Sequence, residues 1–220
     1  MLQAIIFDMD GVIVDTEYVE FTLQKNFIAR IQEHNDPISH QQYSEVVGKS
    51  LKDIPIVIKK LSGSSLSIEE IRNRYYVFFK EIFSQVDYLS IFRKDITQII
   101  RFAKANHIKL AVASSSALDH INHILTICGI KNEFDLIISG EDFPHSKPDP
   151  TIYRYTLEKL NVLAEHAVAI EDSYYGMVAA KGAGLKVIGY QETRMVIDQS
   201  LADYMGKDML DILAIINNIT

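Results

Sequence analysis

Asp8 and Asp10 stand one residue apart at the end of the apolar run Ala4-Ile5-Ile6-Phe7, with Gly11 directly after them. Strand alternation places the two carboxylates on one side and turns Met9 away. Two like charges this close call for a cation. A small hard ion such as Mg2+ takes one or two carboxylates together with waters and phosphate oxygens, which suits a pair of acids with no His or Cys beside them. Three further polar clusters follow. Ser114-Ser115-Ser116 succeeds the apolar run Lys109-Leu110-Ala111-Val112-Ala113. Ser146-Lys147-Pro148-Asp149-Pro150 displays a lysine from a segment that its prolines are expected to hold extended ahead of a helix. Glu171-Asp172-Ser173 closes the run Ala167-Val168-Ala169-Ile170.

Each cluster has a plainer explanation. Asp10-Gly11 suits an ordinary turn, and Ser116 suits a helix cap. Lys147 alone is an unremarkable loop lysine, and Glu171-Asp172-Ser173 fits an acidic helix N-terminus capped by Ser173. What the plain explanations leave out is the shared placement. A carboxylate pair, a serine and a second acidic pair all end apolar strands, and the lysine leads into a helix.

The elements that must position these residues are legible from periodicity. Ile and Phe runs bounded by Asp and Gly read as parallel strands covered on both faces, whose carboxyl ends bind ligands. Strands at 109–113, 134–138, 167–170 and 186–189 alternate with helices at 94–106, 118 to about 129, 150–160 and 174–181, which predicts an α/β fold with a doubly wound, mainly parallel sheet. Between residues 16 and 88 the pattern becomes helical. Val19, Leu23, Phe27 and Ile31 recur every four residues after Thr16, and Ser39 with Gln42 and Ser67 with Glu70 form capping-box pairs. Ile68, Ile71, Tyr75, Phe78, Phe79 and Ile82 make an apolar stripe, and Gly48 and Gly63 suit helix stops. A four-helix insert over 16–88, within a core of 1–15 and 89–220, is the expected organisation.

Phe7-Asp8-Met9-Asp10-Gly11-Val12 with Asp15-Thr16-Glu17 resembles the first motif of the haloacid dehalogenase-like phosphohydrolase superfamily, and within it the phosphoglycolate phosphatase and β-phosphoglucomutase group. Ser114, Lys147 and Glu171-Asp172 resemble its second, third and fourth motifs, so the resemblance spans nearly the whole chain. It implies a Rossmann-like core with an inserted helical cap. It also implies Asp8 as nucleophile on phosphorus and Asp10 as general acid and base. Ser114, Ser115 and Lys147 would hold phosphate, and Mg2+ would lie among Asp8, Asp10 through its backbone carbonyl, Glu171 and Asp172. Cap residues Glu17, Glu20, Lys49 and Lys52 are the candidates for substrate contacts.

Hydrolysis and mutase chemistry share this core, and the cap separates them. A mutase of this group is expected to carry a histidine shortly after Asp15-Thr16 and an arginine shortly after the cap glycine. Those positions hold Glu20 and Leu51. Lys49 or Lys52 offers only a point charge in place of the arginine fork. A Mg2+-dependent phosphatase of small phosphorylated metabolites, sugar phosphates or similar, is therefore the leading expectation. A β-phosphoglucomutase-like phosphotransferase comes second and a non-catalytic phospho-ligand binder third. Dehalogenation needs neither Asp10 nor a metal.

A formal net charge of −7 disfavours a nucleic-acid or anionic-membrane surface. One cysteine, Cys128, excludes an internal disulfide and reads as a buried apolar residue. No run approaches a membrane span, and the first residues resemble no signal peptide, so a cytoplasmic monomer or weak homo-oligomer is expected. Gly48-Lys49-Ser50 imitates the end of a phosphate-binding P-loop, but Tyr43 stands where its first glycine belongs. His120 and His123 share a helix face without the further ligands that zinc needs.

Overall fold

The computed structural model describes residues 1–47 and 52–220. Along them the chain forms β1 (Ala4–Phe7), α1 (Thr16–Ile31), α2 (His40–Tyr43), α3 (Ile54–Ser62), α4 (Ile68–Phe83), α5 (Ile96–Ala105), β2 (Lys109–Ser114), α6 (Leu118–Ile127), β3 (Leu136–Ser139), α7 (Thr151–Leu160), β4 (Ala167–Glu171), α8 (Tyr174–Gly182), β5 (Lys186–Tyr190), β6 (Tyr204–Gly206) and α9 (Met209–Ile219). They divide into two compact units. One comprises Met1–Asp15, Tyr88–Glu192 and Asp198–Thr220; the other comprises Thr16–Asp87 with Thr193–Ile197.

The first unit is built on a sheet of order β3-β2-β1-β4-β5-β6, with every pairing parallel. β1 carries no polar side chain and is buried along its whole length, as a strand covered on both faces requires. On one face Ala4, Ala111, Ala113, Ala167 and Ala169 pack under Tyr153, Leu157 and Leu160 of α7 and Met177, Ala179 and Ala180 of α8. Alanines on the strands let these helices lie close to the sheet. α5 packs against α9 and β2, and α9 also against β5 and β6.

Register carries the geometry forward to the site. Phe7 is level with Val112 of β2 and with Ile170 of β4, so the next residue, Asp8, emerges beside Ala113 and Glu171. The Asp8 amide continues the ladder by donating to the Ile170 carbonyl at 3.0 Å. β1 lies where the strand order reverses, the position at which open α/β sheets bind ligands.

In the second unit α1, α3 and α4 close a core of Phe21, Phe27, Ile28, Ile54, Ile58, Ile71, Tyr75 and Phe78. Both expected capping boxes form: Ser39 accepts from the Gln42 amide and Ser67 from the Glu70 amide, with the Gln42 and Glu70 side chains returning a bond to the cap amide. Gly63 ends α3 at φ 62°, in the left-handed region where glycine carries no Cβ penalty. Gly48, the other expected helix stop, lies outside the described residues. Met195, from the short segment Thr193–Ile197, is buried in the same core, and the Val196 amide donates to Ser44 Oγ at 3.1 Å.

Three local expectations are corrected. β3 begins at Leu136, two residues after the expected Phe134; the Asp135 carboxylate takes the Leu110 amide at 2.8 Å in place of a strand-ladder bond. The segment around Lys147 turns instead of running extended: the Lys147–Pro148 peptide is cis and the Asp149 amide donates to the Ser146 carbonyl at 3.1 Å. Periodicity assigns nothing beyond Gly189, yet β6 and α9 follow. α9 is capped by Asp208, whose carboxylate accepts from the Leu210 and Asp211 amides.

Candidate active site

Three strand ends and one loop of the first unit bring the expected chemistry together. Asp8 follows β1 and is 7% exposed, Ser114 ends β2, and Glu171 ends β4 with Asp172 next in the chain. Lys147 joins them from the turn before α7. Its Nζ donates to Asp8 Oδ1 at 2.7 Å, Glu171 Oε1 at 2.6 Å and the Ala113 carbonyl at 2.9 Å. The lysine thereby links β1, β2 and β4 through one nitrogen.

The acids form a compact donor set. Asp8, Glu171 and Asp172 are all buried, and each offers a carboxylate oxygen within 4.8 Å of the others. Three buried carboxylates against the one ammonium of Lys147 leave two negative charges, which a single divalent cation balances. An all-oxygen donor set of this kind fits Mg2+ and not zinc or copper. The residues present therefore fit a hard divalent ion.

The electrostatics agree. Burial pushes the Asp8 carboxyl up to about 7; Lys147 pulls it down, while Glu171 and Asp10 push it further up. For Lys147 burial works against the charge, but Asp8 and Glu171 outweigh it and hold the ammonium well above the usual lysine range. A positive charge is thus secured directly beside the Asp8 carboxylate.

Two glycines make room for this crowding. A Cβ on Gly11 would overlap the Asp172 carboxylate, and Gly11 also has φ +80°, so the turn after β1 passes directly against Asp172. A Cβ on Gly176 would overlap the Glu171 carboxylate.

Asp10 takes a different direction from its neighbours. Its Oδ2 accepts from Ser116 Oγ at 2.7 Å and lies 3.5 Å from Ser114 Oγ, and its carboxylate does not join the three-acid cluster. Ser114 is buried and accepts the Ser116 amide at 3.1 Å, whereas Ser115 is exposed and its hydroxyl pairs with Ser146 at 3.1 Å. Ser116 is not the helix cap that its position suggests. Ala117 caps α6 with no side-chain bond, and the Ser116 hydroxyl turns to Asp10 instead.

The remaining candidates belong to the second unit. Glu17 and Glu20 are half-buried on α1, where Glu20 Oε1 accepts from Gln24 Nε2 at 2.9 Å, and Lys52 is exposed ahead of α3. Lys49 lies outside the described residues, as do Ser50 and Leu51.

Tyr153 is the participant that motif reading misses. It is fully buried on α7, its hydroxyl donates to Glu171 Oε1 at 2.5 Å, and Lys147 Nζ lies 3.3 Å away. Burial pushes its phenol up, and the neighbouring Glu171 charge adds to the shift, so it stays a donor. Its one sequence signal is its place two residues into a helix that follows Pro150, on the inward face shared with Leu157 and Leu160. His120 and His123 pack edge-on to Tyr88, with ring centroids 5.9 and 6.3 Å away, and form no metal cluster among the described residues. Cys128 is buried, and burial pushes its thiol up to about 11, which suits an inert residue.

Comparison with known proteins adds to this geometry. The family model described as haloacid dehalogenase-like hydrolase matches residues 5–190. A phosphorylated carbohydrates phosphatase from Thermotoga maritima is 31% identical over 188 residues, covering 85% of this chain and 84% of that protein. Among solved structures, CbbY from Rhodobacter sphaeroides in complex with phosphate is 28% identical with a TM-score of 0.67, covering 95% of both chains. A β-phosphoglucomutase from Clostridium difficile, at 21% identity and a TM-score of 0.72 over 100% of this chain and 97% of its own, shares the fold. No helix among the described residues is long and apolar enough to cross a membrane.

Proposed function

The chain belongs to the haloacid dehalogenase-like hydrolase family, and from that premise we propose that it is a Mg2+-dependent phosphatase of small phosphorylated metabolites, sugar phosphates foremost. The observation that carries this reading is the contact of Lys147 with both Asp8 and Glu171 beside Asp172, at the carboxyl ends of β1 and β4. A carboxylate, a fixed ammonium and a divalent-ion donor set at one strand end are what phosphoryl transfer from an ester requires.

A carboxylate oxygen of Asp8 attacks phosphorus in line as the bond from phosphorus to the ester oxygen breaks, giving an aspartyl phosphate and an alkoxide. Asp10 delivers a proton to that alkoxide, then takes one from the water that attacks the aspartyl phosphate, and inorganic phosphate leaves with Asp8 restored. Ser116 and Ser114 orient Asp10 for both transfers. Lys147 reduces the repulsion between the Asp8 carboxylate and the phosphate dianion, and the Ser114 and Ser115 region holds its equatorial oxygens. Asp8, Asp172 and the Asp10 carbonyl, with Glu171 directly or through water, would hold Mg2+, which would supply positive charge against the phosphate oxygens.

Glu17, Glu20, Lys49 and Lys52, of the helical insert over residues 16–88, are the substrate contacts in this reading. Hydrolysis is favoured over mutase chemistry because Glu20 and Leu51 occupy the positions where a second phosphate would need a histidine and an arginine. The relative from Thermotoga maritima, named for phosphorylated carbohydrates, supports the sugar-phosphate class.

The test is incubation of pure protein with a panel of phosphate esters, with Mg2+ and with chelator. Phosphate release that needs the ion is the expected result. Conversion of β-glucose 1-phosphate to glucose 6-phosphate in the presence of the bisphosphate, without net phosphate release, replaces this reading with the mutase. No turnover of any ester overturns both.

A further inference from the structure

Between Gly11 and Asp15 the chain makes a tight turn that carries Asp10 on one side and presses against Asp172 on the other. Within it the Gly11 amide donates to the Val14 carbonyl at 2.7 Å, and the Val12, Ile13 and Val14 amides all reach back to the Met9 carbonyl. What ties it to the rest of the sheet unit is the segment before α5. The Asp15 amide donates to the Ile91 carbonyl and the Arg93 amide to the Ile13 carbonyl, both at 3.0 Å.

Arg93 then adds its side chain. Nη2 donates to the Gly11 carbonyl at 3.0 Å and to Asp15 Oδ1 at 2.9 Å, so one nitrogen closes both ends of the turn. The guanidinium carbon lies 3.8 Å from the centre of the Tyr190 ring at the end of β5, which fixes the plane from which that nitrogen reaches. Both partners of the ion pair are largely buried, with side chains 15% and 20% exposed, so water does not substitute for the arginine at low cost.

We propose that Arg93 is a positioning residue for phosphoryl transfer, holding the Gly11–Asp15 turn so that Asp10 and Asp172 keep their places. The physical link is Gly11. Its carbonyl is bound by Arg93, and its α-carbon has no room to move toward Asp172. Releasing the carbonyl frees the Gly11–Val12 peptide and with it Gly11, the residue bonded to Asp10 on one side and pressed against Asp172, and an angstrom of displacement at a proton-transferring group costs roughly 10- to 100-fold in rate. Because a single nitrogen serves both acceptors, lysine can replace part of the function while losing the stack on Tyr190.

The catalytic half of this inference rests on the phosphatase reading; the structural half does not. The experiment therefore pairs steady-state kinetics with backbone amide exchange in the full chain, for Arg93→Met, Arg93→Lys and Asp15→Asn. Expected for Arg93→Met are exchange roughly 10-fold faster in residues 9–15 with the strands unchanged, and a roughly 10- to 100-fold lower kcat with substrate KM within about threefold. Arg93→Lys recovers a substantial part of both. Asp15→Asn, which leaves the Gly11 bond in place, has the smallest effect. Unchanged exchange in residues 9–15 overturns the inference whatever the kinetics show. Faster exchange with unchanged kcat overturns it as well, because the turn would then be held without consequence for chemistry. Should the unsubstituted protein turn over no ester, the functional reading fails on its own, and amide exchange alone decides whether Arg93 holds the turn.

Discussion

Gly176 is the third residue of α8, where helix energetics by themselves favour alanine over glycine by about 1 kcal/mol. The surroundings reverse that sign. A methyl group on Gly176 would overlap the Glu171 carboxylate, which is fully buried and bound by Lys147 at 2.6 Å and Tyr153 at 2.5 Å. Driving the carboxylate aside separates a buried ion pair, a change that costs about 3–5 kcal/mol when the partner is left behind. Set against the helix gain, Gly176→Ala is expected to destabilise by about 2–4 kcal/mol, which at this chain length lowers the melting temperature by roughly 4–16 °C. Because Lys147 also binds Asp8, phosphate release is expected to fall by roughly 100-fold. Thermal unfolding and a phosphate-release assay on the purified variant measure both. A melting temperature raised by a few degrees with turnover intact would refute the reasoning, since it would mean that the Glu171 carboxylate does not occupy the space beside α8.

Asp8→Asn is expected to bring phosphate release down to the blank while circular dichroism stays that of the parent, because an amide does not attack phosphorus; turnover near the parental rate would remove Asp8 as nucleophile. Glu33 gives a pH prediction. The Ser65 amide, then the Ser65 hydroxyl, holds its carboxyl below the usual glutamate range. A depressed acid contributes stability that is complete above its ordinary value and is lost as pH falls through its folded value, so Glu33→Gln should flatten the acid limb of a stability–pH curve and leave the neutral region's slope unchanged. An acid limb as steep as the parent's would show that the Ser65 bonds carry no such dependence.

Much of the fold was legible because its signals are local. Ala4–Phe7 is apolar without interruption, and the strand and helix patterns from residue 94 onward recur at spacings that only an alternating α/β sheet satisfies. Both capping boxes were readable from residue pairs three apart. β6 was not, since three residues carry too short a pattern to register, and α9 went unassigned although Asp208 stands ahead of an apolar stretch. Ser116 was misassigned because a serine before a helix looks the same whether its hydroxyl caps the helix or turns to a carboxylate across the sheet.

Residue types and their order along the chain therefore determined the sheet, the helical insert and the identities of Asp8, Lys147, Glu171 and Asp172 as candidates. Which of them meet was decided by the tertiary structure. Parallel register sets Asp8 level with Glu171, the turn before α7 carries Lys147 between them, and Asp10 turns away toward Ser114 at the end of β2 and Ser116 just past it. Tyr153 and Arg93 entered by the same route. Each acts on residues far from it in sequence, and hydrogen-bond partners of that kind follow from how whole elements pack, which no local period of the chain records.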